Sequence, residues 1–221
     1  MEKCTKSFIE KDYIVTIAKK KLIALNVEMR KKYKYLKNNL KGEILKMKRK
    51  NLWLTVGTPG SGKSWFVRNK FNELTKAKNT EIVSRDAIRF NLLDTLGGEY
   101  FDHEDTVWNN FVLSIKEYLE NPKLTDVIAD ATHLSPKSRH KLLHNFDLSN
   151  INVNFIVCST SLDICLNRNS QRKGRECVPE AVLKSMYNSF IPPTEEELNT
   201  YHTKQIIFVD EFETTLTERT D

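Results

Sequence analysis

Two hydrophobic rhythms divide the chain. Between residues 13 and 41, apolar side chains fall at Ile14, Ala18, Leu22, Leu25, Met29, Tyr33, Leu36 and Leu40. Steps of three and four put them on one face of a helix, and Gly42 is a natural stop. The opposite face is rich in lysine. Past residue 50 the apolar residues gather into short runs: "LWLTV" (52–56), "EIVS" (81–84), "DVIAD" (126–130), "VNFIVC" (153–158) and "QIIFV" (205–209). The stretches between them have helical spacing; Val107, Phe111, Ile115 and Leu119, for example, step by four. Strands alternating with helices predict an α/β fold, a five-stranded parallel sheet with helices on both faces. The expected division is a basic helical extension over 1–50 and one α/β domain over 51–221.

Charge sharpens that division. Residues 1–50 carry 16 Lys and Arg against 5 Asp and Glu, a balance of +11, and the remaining residues balance at −5. The basicity belongs to the extension and does not make the domain a nucleic-acid binder. For the extension itself, three readings stand open: docking on the domain or on a second copy of the chain, attraction of nucleic acid or phosphate, or disorder. The four cysteines, Cys4, Cys158, Cys165 and Cys177, form no C-x-x-C pair and no zinc spacing, and read as free thiols of a reducing compartment. No apolar run approaches the roughly 20 residues that span a membrane. Lysines interrupt every apolar stretch near the N-terminus, unlike a signal peptide. The expected location is cytoplasmic, with no membrane partner.

The chemistry is densest at "GTPGSGKS" (57–64), directly after the first strand run. Its spacing, G-x-x-x-x-G-K-[S/T], is that of a phosphate cradle. Gly57, Thr58, Pro59, Gly60, Ser61 and Gly62 let the backbone bring its N–H groups to an anion, and the following helix adds its positive end. Lys63 suits the β- and γ-phosphates, and Ser64 suits Mg²⁺. ATP and Mg²⁺ are the expected cofactors.

Two further stretches lie where strand ends line the crevice of an open α/β sheet, and a third lies between the fourth strand and the final helix, where it can cover the nucleotide. In "SRDAIRF" (84–90), Asp86 can accept a proton from an attacking hydroxyl or merely cap a helix. Arg89, on the same helical face, can hold an anionic acceptor or be an exposed helix arginine. In "IADATHL" (128–134), Asp130 can bind Mg²⁺, orient an arginine, or cap the helix beginning near Ser135 and Pro136. His133 reads as a loop histidine, and His103, His140, His144 and His202 make no metal-ligand spacing with it. In "LNRNSQRKGREC" (166–177), Arg168, Arg172 and Arg175 share a face if helical. They are either a solvated basic patch or arginines that steady phosphoryl transfer from a mobile segment.

Taken together, "GTPGSGKS", "SRDAIR", "ADATHLSPKSR" and above all "RNSQRKGRECVPEAVLKSMYNSF" resemble the kinase half of the bacteriophage polynucleotide kinase family, over roughly residues 52–210. "IPPTEEE" (191–197) matches the ending of related kinases. The resemblance implies a P-loop kinase fold. It also implies ATP-dependent transfer of the γ-phosphate to the 5′-hydroxyl of a DNA or RNA end. It implies that Lys63 and Ser64 handle phosphate and Mg²⁺, that Asp86 is the general base, and that Arg89 contacts the phosphate beside the acceptor nucleoside. Arg172 then reaches the nucleotide from the lid with Arg168 supporting it, and Asp130 organises the acceptor side. Three features depart from the pattern. The lid is one residue longer, so Arg172 and Arg175 compete for one role. Leu198-Asn199-Thr200 stand where Gly-Phe-Asp is usual, and "IIFVDEFETTL" lacks the paired aspartates of a phosphatase half. The expected activity is 5′-phosphorylation without phosphatase. Two other readings compete: a kinase of similar fold with a small-molecule acceptor, and a nucleotide-binding module that phosphorylates nothing.

Overall fold

The run at 52–56 becomes the centre of the molecule. It lies in β1 (Lys50–Val56), where Leu52, Trp53, Leu54 and Val56 have no exposed surface. A strand so completely apolar needs cover on both faces and neighbours on both edges. Strands β2 (Thr80–Ser84), β3 (Asp126–Asp130), β4 (Ile151–Cys158) and β5 (Gln205–Val209) follow at the other four runs. The structure, a computed structural model, describes Met29, residues 49–210 and residues 213–219. The helix expected over 13–41 and Cys4 lie outside the described residues.

The sheet order is β2-β3-β1-β4-β5-β6, and the first five strands are parallel. The sixth strand, β6 (Thr214–Glu218), pairs antiparallel with β5. The sheet is therefore mixed and six-stranded, not the five-stranded parallel sheet expected. Its sequence, TTLTE, holds a single large apolar residue and is mostly exposed. An edge strand needs only ladder hydrogen bonds and β-branched residues, so no hydrophobic run marks it.

Eight α-helices occur among the described residues: α1 (Lys63–Asn69), α2 (Phe71–Thr75), α3 (Arg85–Leu96), α4 (Glu104–Glu120), α5 (Pro136–Leu143), α6 (Leu162–Ser170), α7 (Glu180–Asn188) and α8 (Glu195–Thr200). They bury both faces of the sheet. Leu52, Leu54, Phe155 and Val157 pack against Phe111 and Ile115 of α4 and Leu142 of α5. On the other face Trp53, Ile128, Ile156 and Ile207 pack against Phe66 and Phe71 of α1 and α2. Alternate residues of β1 thus serve alternate layers, as a period of two requires. In α4 the residues expected to share a face, Val107, Phe111, Ile115 and Leu119, are its buried ones.

One buried ion pair ties the last helix to the strand ends. Arg139 of α5 is fully buried and donates from Nε and Nη2 to Glu197 of α8, at 2.6 and 2.5 Å. Its Nη1 donates to the carbonyls of His133 and Ile191, both at 2.9 Å. A buried charge with that many partners is tolerable, and removal of one partner leaves the other stranded. Glu197 lies in the "IPPTEEE" stretch, so the motif holds the loop after β3 in place.

Candidate active site

The loop after β1 turns on glycines that no other residue can replace. Gly57 has φ +150, and a Cβ there would lie 2.6 Å from the carbonyl oxygen of Cys158 at the end of β4. Gly60 has φ +82, with a Cβ 2.5 Å from the carbonyl oxygen of Cys165 in α6. Strand β4 and helix α6 therefore press the loop from behind and turn its other side toward the crevice.

Lys63 opens α1 and is only 7% exposed. Its ammonium donates to the Thr58 carbonyl at 2.6 Å and to Ser61 Oγ at 3.4 Å. Burial lowers its pKa, and Cys158, Asp130 and Asp86 oppose that while Arg172 adds to it. Burial also pushes the Cys158 thiol up to about 12, so this group is neutral at pH 7. The two carboxylates therefore do the opposing. A buried ammonium bonded only to neutral acceptors is a site for an anion.

Ser64 Oγ donates to Asp130 Oδ2 at 2.8 Å, and Thr55 Oγ1 lies 3.3 Å from Asp130 Oδ1. Burial raises the pKa of Asp130, while the Ser64 hydroxyl, the Lys63 charge and the Thr55 hydroxyl pull it down. A hydroxyl and a carboxylate side by side at the phosphate loop are hard oxygen donors that fit Mg²⁺. The capping alternative for Asp130 does not apply: Ser135 caps α5, in a capping box with Ser138.

The second strand end carries a different construction. Ser84, not Asp86, caps α3, its Oγ accepting from the Ala87 N–H at 3.3 Å. Asp86 sits in the first turn with its side chain 64% exposed. Arg89 Nη1 donates to Asp86 Oδ1 in a short ion pair, and Tyr100 Oη lies 3.2 Å from the same oxygen. No donor among the described residues reaches Oδ2. Arg89 itself is buried, unlike an exposed helix arginine. Its Nε and Nη2 donate to Glu104 Oε1 at 2.8 and 2.5 Å, its Nη1 to Tyr100 Oη at 3.0 Å. Burial disfavours the guanidinium charge, but the Glu104 hydrogen bonds and the neighbouring Tyr100, Glu104 and Asp86 outweigh it and raise its pKa. Arg85 Nη2 donates to Glu104 Oε2 at 2.6 Å. Burial, then the Asp86 carboxylate, raises the pKa of Tyr100, which keeps the phenol protonated as a donor.

Tyr100 and Glu104 are absent from the sequence-derived site. The only available signal was that Arg85 and Arg89, one turn apart, need an acid to share, and spacing along the chain does not say which acid.

The arginine-rich segment separates into three roles. Arg168, near the end of α6, donates to the Gly60 carbonyl at 3.3 Å. Arg175 pairs with Asp94 of α3 at 2.6 Å, and its Cζ lies 4.8 Å from the Phe90 ring centroid. Arg172 is exposed, makes no ion pair or side-chain hydrogen bond among the described residues, and is close enough to Lys63 to lower its pKa. Cys158 and Cys165 are buried free thiols and Cys177 an exposed one. No helix among the described residues is long and apolar enough to cross a membrane.

Known structures share this architecture. A chain of the Pnkp1/Rnl/Hen1 RNA repair complex superposes with TM-score 0.52 at 21% identity, over 78% of this chain and 49% of that one. This chain thus spans about half the length of that one. A putative kinase from Chloroflexus aurantiacus gives TM-score 0.53 at 19% identity, over 74% and 86% of the two chains. Kti12 from Chaetomium thermophilum, solved in complex with ADP-AlF3, gives 0.54 at 12% identity, over 73% and 89%. At such identities the likeness is one of fold, a P-loop kinase-like α/β fold. The model of a family described as an AAA domain matches residues 52–193, more than half of the sequence, and includes the phosphate loop, both strand-end aspartates and the arginine-rich segment; the chain belongs to that family.

Proposed function

We propose that the chain is an ATP-dependent phosphotransferase that moves the γ-phosphoryl group of ATP to the 5′-hydroxyl of a polynucleotide. The observation that carries this reading is the Asp86 carboxylate. One oxygen is held by Arg89 and Tyr100, the other has no donor among the described residues, and the group is close enough to Lys63 for their charges to interact. A pure nucleotide switch needs no such group; an acceptor hydroxyl does.

In this reading the phosphate loop and Lys63 bind the β- and γ-phosphates. Mg²⁺, held by Ser64 and Asp130, supplies neutralisation of the phosphate charge. The acceptor hydroxyl oxygen attacks the γ-phosphorus, its proton passes to Asp86 Oδ2, and the bond to the β-phosphate oxygen breaks to leave ADP. Arg168 steadies the loop at Gly60. Arg172, near Lys63 and with no ion pair among the described residues, supplies positive charge to the transferring oxygens. Arg89 acts first by holding Asp86, since most of its donors already have carboxylate or phenol partners.

The acceptor class rests on the lid stretch "RNSQRKGRECVPEAVLKSMYNSF" and its resemblance to polynucleotide kinases. The fold shared with a chain of an RNA repair complex is in keeping with it. The test is incubation with Mg²⁺, γ-labelled ATP and a panel of 5′-hydroxyl oligonucleotides, 3′-nucleotides, nucleosides and sugars. Label on oligonucleotides and 3′-nucleotides is the expected result. Label on a nucleoside or sugar alone replaces the acceptor, and label in inorganic phosphate alone removes the kinase.

A further inference from the structure

Around Tyr100, whose hydroxyl meets Asp86 Oδ1, stands a group of aromatic rings whose faces the chemistry above does not use. Tyr100 and Phe101 meet edge to face at 4.8 Å between centroids, and Phe90 lies 6.2 Å from Tyr100. Guanidinium groups cover two of the rings: Arg89 over Tyr100 at 4.5 Å, Arg175 over Phe90 at 4.8 Å. Phe101, in contrast, is 70% exposed, and Leu96 at the end of α3 is 61% exposed.

A single exposed phenylalanine needs no explanation. This one is held in place. The Glu99 N–H donates to Asp102 Oδ2 at 2.7 Å, and a ring nitrogen of His103 bonds the Gly97 carbonyl at 2.9 Å. Gly97 and Gly98 both take positive φ, and a Cβ on Gly98 would lie 2.8 Å from Asp102 Oδ2. Tyr100 anchors the turn to Asp86 and Arg89 through its hydroxyl. A turn fixed on both sides of Phe101 keeps an apolar ring in water at the mouth of the site, with its neighbour bonded to the acceptor-side carboxylate.

We propose that Phe101, supported edge-on by Tyr100, is a stacking ledge for a nucleobase of the acceptor's 5′-terminal dinucleotide. The inference rests on the polynucleotide reading and deepens it. Aromatic rings interleaved with arginine planes are how proteins hold unstacked bases of single strands. A hydroxyl placed at Asp86 Oδ2 leaves its own nucleoside, or the next, within reach of the adjacent Phe101. A phenyl ring carries no hydrogen-bonding group, so the ledge reads the presence of a base and not its identity.

The experiment uses the full chain with three acceptors: a 5′-hydroxyl oligonucleotide, the same with an abasic first nucleotide, and the same with an abasic second nucleotide. KM and kcat are measured for wild type, Phe101→Ala and Phe101→Leu, and Kd for each oligonucleotide is measured separately without ATP. Phe101→Ala is expected to raise KM and Kd for the intact oligonucleotide roughly tenfold with kcat little changed. Phe101→Leu should recover only a small part. One of the two abasic acceptors should show the same loss in wild type, and Phe101→Ala should add nothing to it. Phosphorylation that ignores both the abasic sites and Phe101 overturns the ledge and leaves the kinase reading intact. Base-dependent binding lost in Phe101→Ala without any phosphorylation keeps the ledge and overturns the kinase. Absence of both binding and phosphorylation overturns both.

Discussion

From Val56 to Ser64 the phosphate loop occupies one unbroken stretch, built largely of backbone, pressed on β4 and α6 and mostly buried. The proposed acceptor side draws Asp86 and Arg89 from α3, Tyr100 from the following turn and Glu104 from α4, joined by side-chain hydrogen bonds. A loop of main-chain donors is set by φ angles and needs no partner far away in sequence. A carboxylate held in one orientation needs partners, and these can come from any segment that packs nearby. The nucleotide half should therefore fail through loss of charge and the acceptor half through loss of aim.

The largest effect is expected at the nucleotide side. Lys63→Ala should lower kcat about 10³-fold, because Lys63 is the one charged side chain of the loop 57–64, while circular dichroism stays native. Retention of more than a few per cent of transfer would take the loop out of the chemistry.

Asp86→Asn comes next. Ser84 provides the cap, so the variant should fold and bind ATP normally yet lose transfer by about 10²-fold. Turnover near wild type would leave the acceptor half without a base and erase the contrast between the two halves.

The lid arginines touch one half each, and this sharpens the comparison. Arg172→Ala should lower kcat by about tens-fold, with ATP affinity less affected. Arg175→Ala, which breaks the contacts with Asp94 and Phe90, should cost only severalfold and chiefly in acceptor KM. The reverse order would mean that Arg175 leaves Asp94 and reaches the phosphates.

The smallest effect on turnover concerns His133, between the halves, and its readout is stability. Burial lowers its pKa to about 4; the bond from Nδ1 to the Thr55 carbonyl, 2.8 Å, opposes that shift, and nearby cations reinforce it. The unfolded value is about 6.5. The folded state thus refuses a proton that the unfolded state takes. The stability is complete above about pH 6.5 and falls as pH drops through the folded pKa, by about 3 kcal/mol. His133 has φ +41, which asparagine tolerates. His133→Asn should flatten that part of the curve in denaturant titrations at pH 7 and pH 4.5. An unchanged slope would mean that the imidazole is protonated in the native state.

The fold was legible wherever burial imposes a period. Five apolar runs became five strands, and in the central β1 and β3 the run is continuous because both faces are covered, while α4 buried the residues spaced by four. Strand β6 was not, since an exposed edge sets no hydrophobic pattern. The same logic applies to the site. "GTPGSGKS" is legible because its constraint is local. "IPPTEEE" was visible as a match, but its physical reason, Glu197 clasping Arg139, appears only when α5 and α8 meet.

By itself the sequence determined the order of the five parallel strands along the chain, the glycine-rich loop after β1, and the placing of Asp86 just past β2 and of Asp130 at the end of β3. Each of these follows from spacing along a few residues. Tertiary structure alone decided that Asp130 stands with Ser64, that Arg89 is buried on Glu104, and that Arg175 pairs with Asp94 while Arg172 has no ion pair among the described residues. Those choices depend on which donors and acceptors come within about 3 Å once water is excluded, and distance along the chain carries no record of that.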